Sequence, residues 1–237
     1  MKFLHLSDTH IHAINNNDEL QKRLDYIQRE YPEHNVILTG DVTDDGSKEQ
    51  YEIASKILDP RWYLCPGNHD YGVIGSFYSE EAAERFDFFA RDDFIGKMPL
   101  VYHPAEGVIF ICLNSNLKTP DPFDFACGEI GFGQTFNLKE ILANPSIKDS
   151  VKIVCLHHHP FIHGDPAMEL QDAKDFIRAI YGKVDILLFG HKHEKGRWHN
   201  KAGCRLVLAS GATFQESFAW EVTVEDGNIF SQEVPIL

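Results

Sequence analysis

Aspartate, asparagine and histidine recur in this chain in small groups, each set directly behind a short apolar run. Leu4 and Leu6 lead into Asp8-Thr9-His10, and Val36 to Leu38 into Gly40-Asp41. Trp62 to Cys65 lead into Gly67-Asn68-His69-Asp70, Ile153 to Leu156 into His157-His158-His159, and Ile186 to Phe189 into Gly190-His191-Lys192-His193. Oxygen and nitrogen donors without sulfur suit Mn, Fe, Zn, Co or Ni better than a cysteine-bound structural zinc. Asp8 and His10 can turn both side chains toward one ion, and the two oxygens of Asp41 suit it to a place between two cations. In the third group the glycine permits a close approach, the Asn68 amide oxygen can ligate, and an imidazole beside a carboxylate is held in one tautomer. Any one group could be an ordinary turn; five in succession point to a shared site. Two ions ~3.5–4 Å apart would lower the pKa of a bridging water and clamp the attacking and leaving oxygens of an in-line displacement at phosphorus. Hydrolysis of a phosphate ester is the chemistry this set suits best.

Five such groups can meet only if the fold gathers them. Short apolar runs closed by Gly, Pro or Asp read as buried strands, and α/β sheets collect ligands outside the carboxyl ends of their strands. Between the runs the spacing is helical. Leu20, Leu24, Ile27 and Tyr31 follow a start at Asn17, Asp18 and Glu19, while Ser47 and Gln50 form a capping-box pattern ahead of Tyr51, Ala54, Ile57 and Leu58. Further helices are predicted over Glu80–Arg91, with its glutamates on the solvated face, and after Asp165-Pro166, with Leu170, Ala173, Ile177 and Ile180 as a stripe. Strand alternating with helix demands parallel pairing and right-handed crossovers. Arg205–Ala209, Trp220–Val224 and Ile229–Val234 read instead as antiparallel strands, with a hairpin at Glu225-Asp226-Gly227-Asn228. A mixed sheet, or two packed sheets with helices outside, accommodates both patterns.

At 237 residues, 43% hydrophobic, the chain suits one catalytic domain over 1–237 with a sizeable core. A net charge of -14 repels a polyphosphate backbone and argues against a nucleic-acid polymer or an anionic membrane as partner. Cys65, Cys112, Cys127, Cys155 and Cys204 include no C-x-x-C pair and are odd in number, so a disulfide framework is not expected. Nothing at the start reads as a leader and no apolar stretch is long enough to span a bilayer, so a soluble, cytoplasmic protein is expected.

Asp8-x-His10, Gly40-Asp41, Gly67-Asn68-His69-Asp70, His158-x-Pro160 and Gly190-His191-x-His193 together resemble, in order, the signature of the calcineurin-like metallophosphoesterase family. The resemblance runs from residue 7 to residue 193 and implies a four-layer α/β/β/α sandwich. It assigns Asp8, His10, Asp41 and His193 to one metal and Asp41, Asn68, His158 and His191 to the other, Asp41 bridging. His158 is selected because the family's ligand lies two residues before a proline, with His159 as the alternative in the run. His69 corresponds to a histidine that stabilises phosphoryl oxygens or protonates the leaving group, and Asp70 would orient it. The implied cofactors are two transition-metal ions, Mn or Fe first, with Zn, Co and Ni also compatible. The implied mechanism is attack by a metal-bridging hydroxide.

The segment Gly40-Asp41-Val42-Thr43-Asp44-Asp45-Gly46 resembles the cyclic-nucleotide phosphodiesterase-like branch. Protein Ser/Thr phosphatases of the family carry an arginine where this chain has Asp45, so a small phosphodiester is expected rather than a phosphoprotein. Tyr71–Tyr78, Asn114–Gly133 with Phe123 and Phe125, and Phe161–Met168 read as aromatic loops that would border the cleft, stack a base, or join two copies as a homodimer. His12 and His163 are placed near the cleft; His5, His34, His103 and His199 are read as core-edge or solvated residues. The alternative from another class is a non-catalytic metal-binding scaffold of the same fold that binds protein partners.

Overall fold

A computed structural model describes residues 1–14, 17–72, 79–90, 98–119, 126–161 and 166–237. Three parallel strands, β1 (Lys2–Leu6), β2 (Asn35–Thr39) and β3 (Tyr63–Cys65), alternate with helices α1 (Asp18–Glu30) and α2 (Lys48–Ile57), as strand-helix spacing requires. The four-residue helix α3 (Asn68–Tyr71) follows β3, then α4 (Glu80–Ala90). Next come β4 (Leu100–Ala105), β5 (Val108–Cys112), α5 (Phe132–Ala143), β6 (Val151–Cys155), α6 (Ala173–Ile180) and β7 (Ile186–Phe189). The chain closes with β8 (Gly196–Lys201), β9 (Cys204–Ala209), β10 (Phe218–Glu225) and β11 (Asn228–Pro235).

The strands form two mixed sheets, ordered β11-β10-β1-β2-β3 and β4-β5-β6-β7-β9-β8. The carboxyl-terminal hairpin returns to the first strand: β10 pairs antiparallel with β1, with Leu4 opposite Glu221. In the second sheet β5, β6, β7 and β9 are parallel, while β4 and β8 add antiparallel edges and β4 carries a bulge between Tyr102 and Ala105.

Side-chain alternation divides the apolar residues into three layers of contact. Leu4, Leu6, Val36 and Leu38 pack outward against α1, α2 and α4 through Leu24, Ile27, Ala54 and Phe86. Ile111, Val154, Leu187 and Val207 pack outward against α5 and α6 through Leu138, Phe176 and Ile180. Phe3, Ile37 and Cys65 face Phe110, Cys112, Ile153 and Cys155 between the sheets. Helices therefore cover both outer faces and the two sheets share an apolar interior, the expected four-layer α/β/β/α sandwich.

Several local expectations change. Ser47 makes no side-chain cap; Gln50 Oε1 instead accepts from the backbone N–H of Asp44 (2.8 Å) and Asp45 (2.9 Å), tying α2 to the loop after β2. Helix α6 starts at Ala173, with only a short 3-10 turn at Pro166–Met168. Arg91, Phe123, Phe125, Tyr78, His163 and Asp165 lie outside the described residues. His5 is fully buried with Nε2 3.0 Å from Thr39 Oγ1, whereas His103 and His199 are exposed. No helix among the described residues is long and apolar enough to cross a membrane.

The Phe3 and Phe110 rings meet edge to face across the sheet interface, centroids 5.3 Å apart. Phe110→Ala should lower unfolding free energy by about 3–5 kcal/mol in urea titration. Phe136→Ala, on the exposed side of α5, should change it by no more than about 0.5 kcal/mol.

Candidate metal centre

The ends of β1, β2 and β3 in one sheet and of β6 and β7 in the other deliver their polar groups to one place. Backbone hydrogen bonds lace the loops together: Asp8 N–H donates to Gly40 O, His10 N–H to Asp41 O, and Gly190 N–H to His157 O, each at 3.0 Å. Asp8, His10, Asp41, His191 and His193 all adopt positive φ, at 54°, 42°, 51°, 76° and 55°. Among the described residues only Asn200, near the end of β8, and Ala202 and Asp226, in the turns of the two carboxyl-terminal hairpins, share that conformation without being glycine. It costs an L-residue roughly 1–2 kcal/mol, and unrelated loops have no reason to pay it together. Close approach explains two of the glycines: a Cβ on Gly67 would strike Asp41 Oδ1, and one on Gly190 would strike Ser7 Oγ.

Each central carboxylate divides its oxygens between scaffold and site. Asp8 Oδ2 accepts from His191 N–H (3.1 Å), leaving Oδ1 buried with no hydrogen bond of its own, 3.4 Å from His193 Nε2. Asp41 Oδ1 accepts from His69 N–H (3.0 Å), while Oδ2 faces His10 Nε2 at 3.6 Å and His157 Nε2 at 3.2 Å. His10 Nε2 and His193 Nε2 are 3.2 Å apart; His157 Nε2 lies 3.2 Å from Asn68 Oδ1 and 3.1 Å from His191 Nδ1. Two donor groups result, Asp8, His10 and His193 on one side and Asn68, His157 and His191 on the other, with Asp41 Oδ2 between them. Burial works against ionising Asp41, yet His157 and His69 hold its carboxyl well below the ordinary range. Burial would lower His157, but the Asp41 carboxylate, Asp8 and the Thr39 carbonyl together raise the imidazole to about 9. The pocket thus favours positive charge, and donors that would repel one another unless they share a proton or a cation fit a pair of metal ions.

Three sequence expectations need correction. The histidine against Asp41 and Asn68 is His157; His158 and His159 are not in the donor groups. Ile153 and Cys155 face the space between the sheets while Val154 and Leu156 face the helices, and His157 continues the parity of Cys155 where the proline-based register had selected His158. His159 packs its ring on Phe189, centroids 4.5 Å apart. Asp70 does not orient the His69 ring. Its carboxylate accepts from Thr43 N–H (2.9 Å), Val42 N–H (3.2 Å) and Gly67 N–H (2.9 Å), because the third residue of a one-turn helix reaches back toward the helix start. Burial and the nearby Asp41 raise it to about 6.

Asp44, which the sequence reading did not single out, does the orienting. Its Oδ1 lies 3.4 Å from His10 Nδ1, its Oδ2 3.2 Å from His12 Nδ1, and its carbonyl oxygen 2.7 Å from His69 Nδ1. An aspartate three residues after Asp41 in the same loop was the available signal. Carbonyl acceptors fix two rings: Thr39 O, 2.8 Å from His157 Nδ1, and Asp44 O at His69 both require Nδ1–H, which turns Nε2 of each ring toward the centre.

Residues 1–195 match the model of the calcineurin-like phosphoesterase family. The chain belongs to that family. Among curated proteins it is 26% identical over 167 residues to a probable glycerophosphodiester phosphodiesterase of Arcobacter nitrofigilis, and 27% identical over 188 residues to a 3',5'-cyclic-nucleotide phosphodiesterase of Nostoc. It is 26% identical over 227 residues to a 3',5'-cyclic adenosine monophosphate phosphodiesterase of Pseudomonas aeruginosa. These alignments take in 67%, 75% and 88% of this chain, but 56%, 62% and 74% of the relatives, so the chain spans less than two thirds of the first two. The fold is shared with a dimetal phosphatase of Danio rerio, at TM-score 0.68 and 14% identity over 100% of this chain and 96% of that one. It is also shared with the anchor in the inner membrane complex of Plasmodium, at TM-score 0.63 and 12% identity over 100% and 84%.

Replacing a carboxylate that orients a ligand histidine typically weakens metal affinity ~10–100-fold. Asp44→Ala should show a loss of that order in competition with a chelator while its circular dichroism stays that of the parent protein.

Proposed function

We propose that this protein is a dinuclear metal-dependent phosphoesterase acting on a small phosphodiester. The observation that carries the reading is Asp41 Oδ2, placed between two donor sets, each of which draws side chains from the strand ends of both sheets. Asp8, His10, Asp41 and His193 would hold one ion, and Asp41, Asn68, His157 and His191 the other. Such a pair supplies Lewis acidity toward phosphoryl oxygens and makes a water a usable nucleophile near neutral pH. The chain's own part is to fix the donors. Thr39 O and Asp44 hold the rings, and the Asp8 and Asp41 carboxylates keep one oxygen each on the backbone.

His69 belongs to the mechanism rather than to the ligand set. With Nδ1–H committed to the Asp44 carbonyl, Nε2 is the atom that can carry a proton to the departing oxygen, and its side chain is 28% exposed. The choice of diester over monoester follows the phosphodiesterase activities named for the relatives and the Asp45 that stands where phosphoprotein phosphatases have a guanidinium. Mn or Fe are the ions we favour for a mixed carboxylate, amide and imidazole shell. All five cysteines are buried and none forms a disulfide, which suits a reducing compartment such as the cytoplasm. The scaffold reading would call for lost ligands, and Asp8, His10, Asp41, Asn68, His191 and His193 are all in place.

Stripping the metals, restoring Mn, Fe, Zn, Co, Ni and Mg one at a time, and assaying a phosphomonoester, a phosphodiester and cyclic nucleotides tests the reading directly. Activity should return with a transition ion and be highest on a diester; full occupancy without turnover on any substrate would leave only the scaffold. His69→Ala should retain both ions and lose about 10²–10⁴-fold in kcat, whereas Asp41→Ala should lose metal itself. Equal metal loss in the two variants would make His69 a ligand.

A further inference from the structure

Ser115, in the loop after β5, is fully buried beneath the histidine run. Its Oγ accepts from the backbone N–H of His157 (3.2 Å) and of His158 (3.1 Å), and lies 2.8 Å from His158 Nδ1. A hydroxyl has two lone pairs and one proton. The two backbone donors occupy the lone pairs, so the proton goes to His158 Nδ1. Were Nδ1 itself protonated, three donors would crowd one oxygen and the serine proton would be stranded in the interior. His158 must therefore carry its proton on Nε2 and leave Nδ1 bare, whereas His157 holds an Nδ1–H against the Thr39 carbonyl.

That Nε2–H is buried with no acceptor among the described residues. The His158 ring lies against the His191 ring, centroids 4.5 Å apart, and His191 Nε2 is likewise buried without a partner. His191 points Nδ1 into the donor group, so when that nitrogen offers its lone pair its proton sits on Nε2. Two N–H groups on adjoining rings, neither bonded to an oxygen of the described residues, suit one buried oxygen with two lone pairs.

We propose that His158 is a positioning residue: locked by Ser115 as an Nε2–H donor, it holds a buried water behind His191 and through it fixes the angle of that ligand ring. This rests on the metal reading of His191 above, but the tautomer does not, which separates failure of one from failure of the other. Nitrogen-15 NMR of the imidazoles in the metal-free protein should show His158 with bare Nδ1 and protonated Nε2, and Ser115→Ala should abolish that preference. A protonated Nδ1 in the parent protein overturns the proposal whatever the metals do.

Metal titration of two variants then tests the role. His158→Gln keeps an N–H donor near the Nε2 position, whereas His158→Asn keeps a group only near Nδ1. The Gln variant should bind the second ion within about threefold of the parent and the Asn variant about 10–100-fold more weakly, the range expected for an outer partner of a ligand. Equal losses in both, or none in either, would show that the donor has no such part, and unfolding midpoints of both variants distinguish a local effect from a global one.

Discussion

Five side chains of the donor groups stand on backbone in the left-handed region, and that strain is the constraint on which the molecule depends. At roughly 1–2 kcal/mol per residue the loops would relax if nothing over-determined them. What holds them is the pairing of the strand ends: Asp8 with Gly40, His10 with Asp41, and Gly190 with His157. Those bonds exist only while β1 and β2 remain parallel neighbours, and β6 and β7 likewise. The fully buried Phe3, Phe110 and Cys155 between the sheets are therefore part of the site, because they fix the distance across which Asp41 meets His157.

Electrostatics follows from the same placement. Two carboxylates beside buried imidazoles would be costly if the charges were unmatched, and the chain matches them by giving each carboxylate one backbone donor and one imidazole side. Asp44 extends this outward by joining His10, His12 and His69 through both its carboxylate and its carbonyl. Asp70, next to His69 in sequence, is spent on the backbone of the neighbouring loop. Adjacency along the chain therefore predicts little about which acid serves which histidine.

Much of this was legible in the sequence. The three parallel strands, their two crossover helices, the closing hairpin and most donor residues follow from apolar runs that end in Asp, Asn or His. Strands β4, β5 and β8 and helix α5 leave no clear pattern in the sequence. Val108–Cys112 carries no alternation because both its faces are buried, and α5 presents exposed Phe132 and Phe136 that blur its apolar stripe. The histidine register failed for the same reason: Val151–Cys155 is buried on both faces, so composition alone cannot say whether its odd or its even positions face the opposite sheet. Ser115 acts through hydrogen bonds that no local pattern encodes, and Asp44 leaves only the weak trace of an acid three residues after Asp41.

The borders of the two sheets carry a consequence for how this molecule meets others. One sheet ends on the three-residue β3 and on β11, which carries Glu233 and closes at Pro235; the other ends on β4, interrupted at Pro104 by its bulge, and on β8 with Arg197 and Lys201. Short length, charge, proline and irregular pairing are the features by which proteins discourage strand addition from another chain. Stacking into fibres by pairing along these four edge strands is thereby disfavoured.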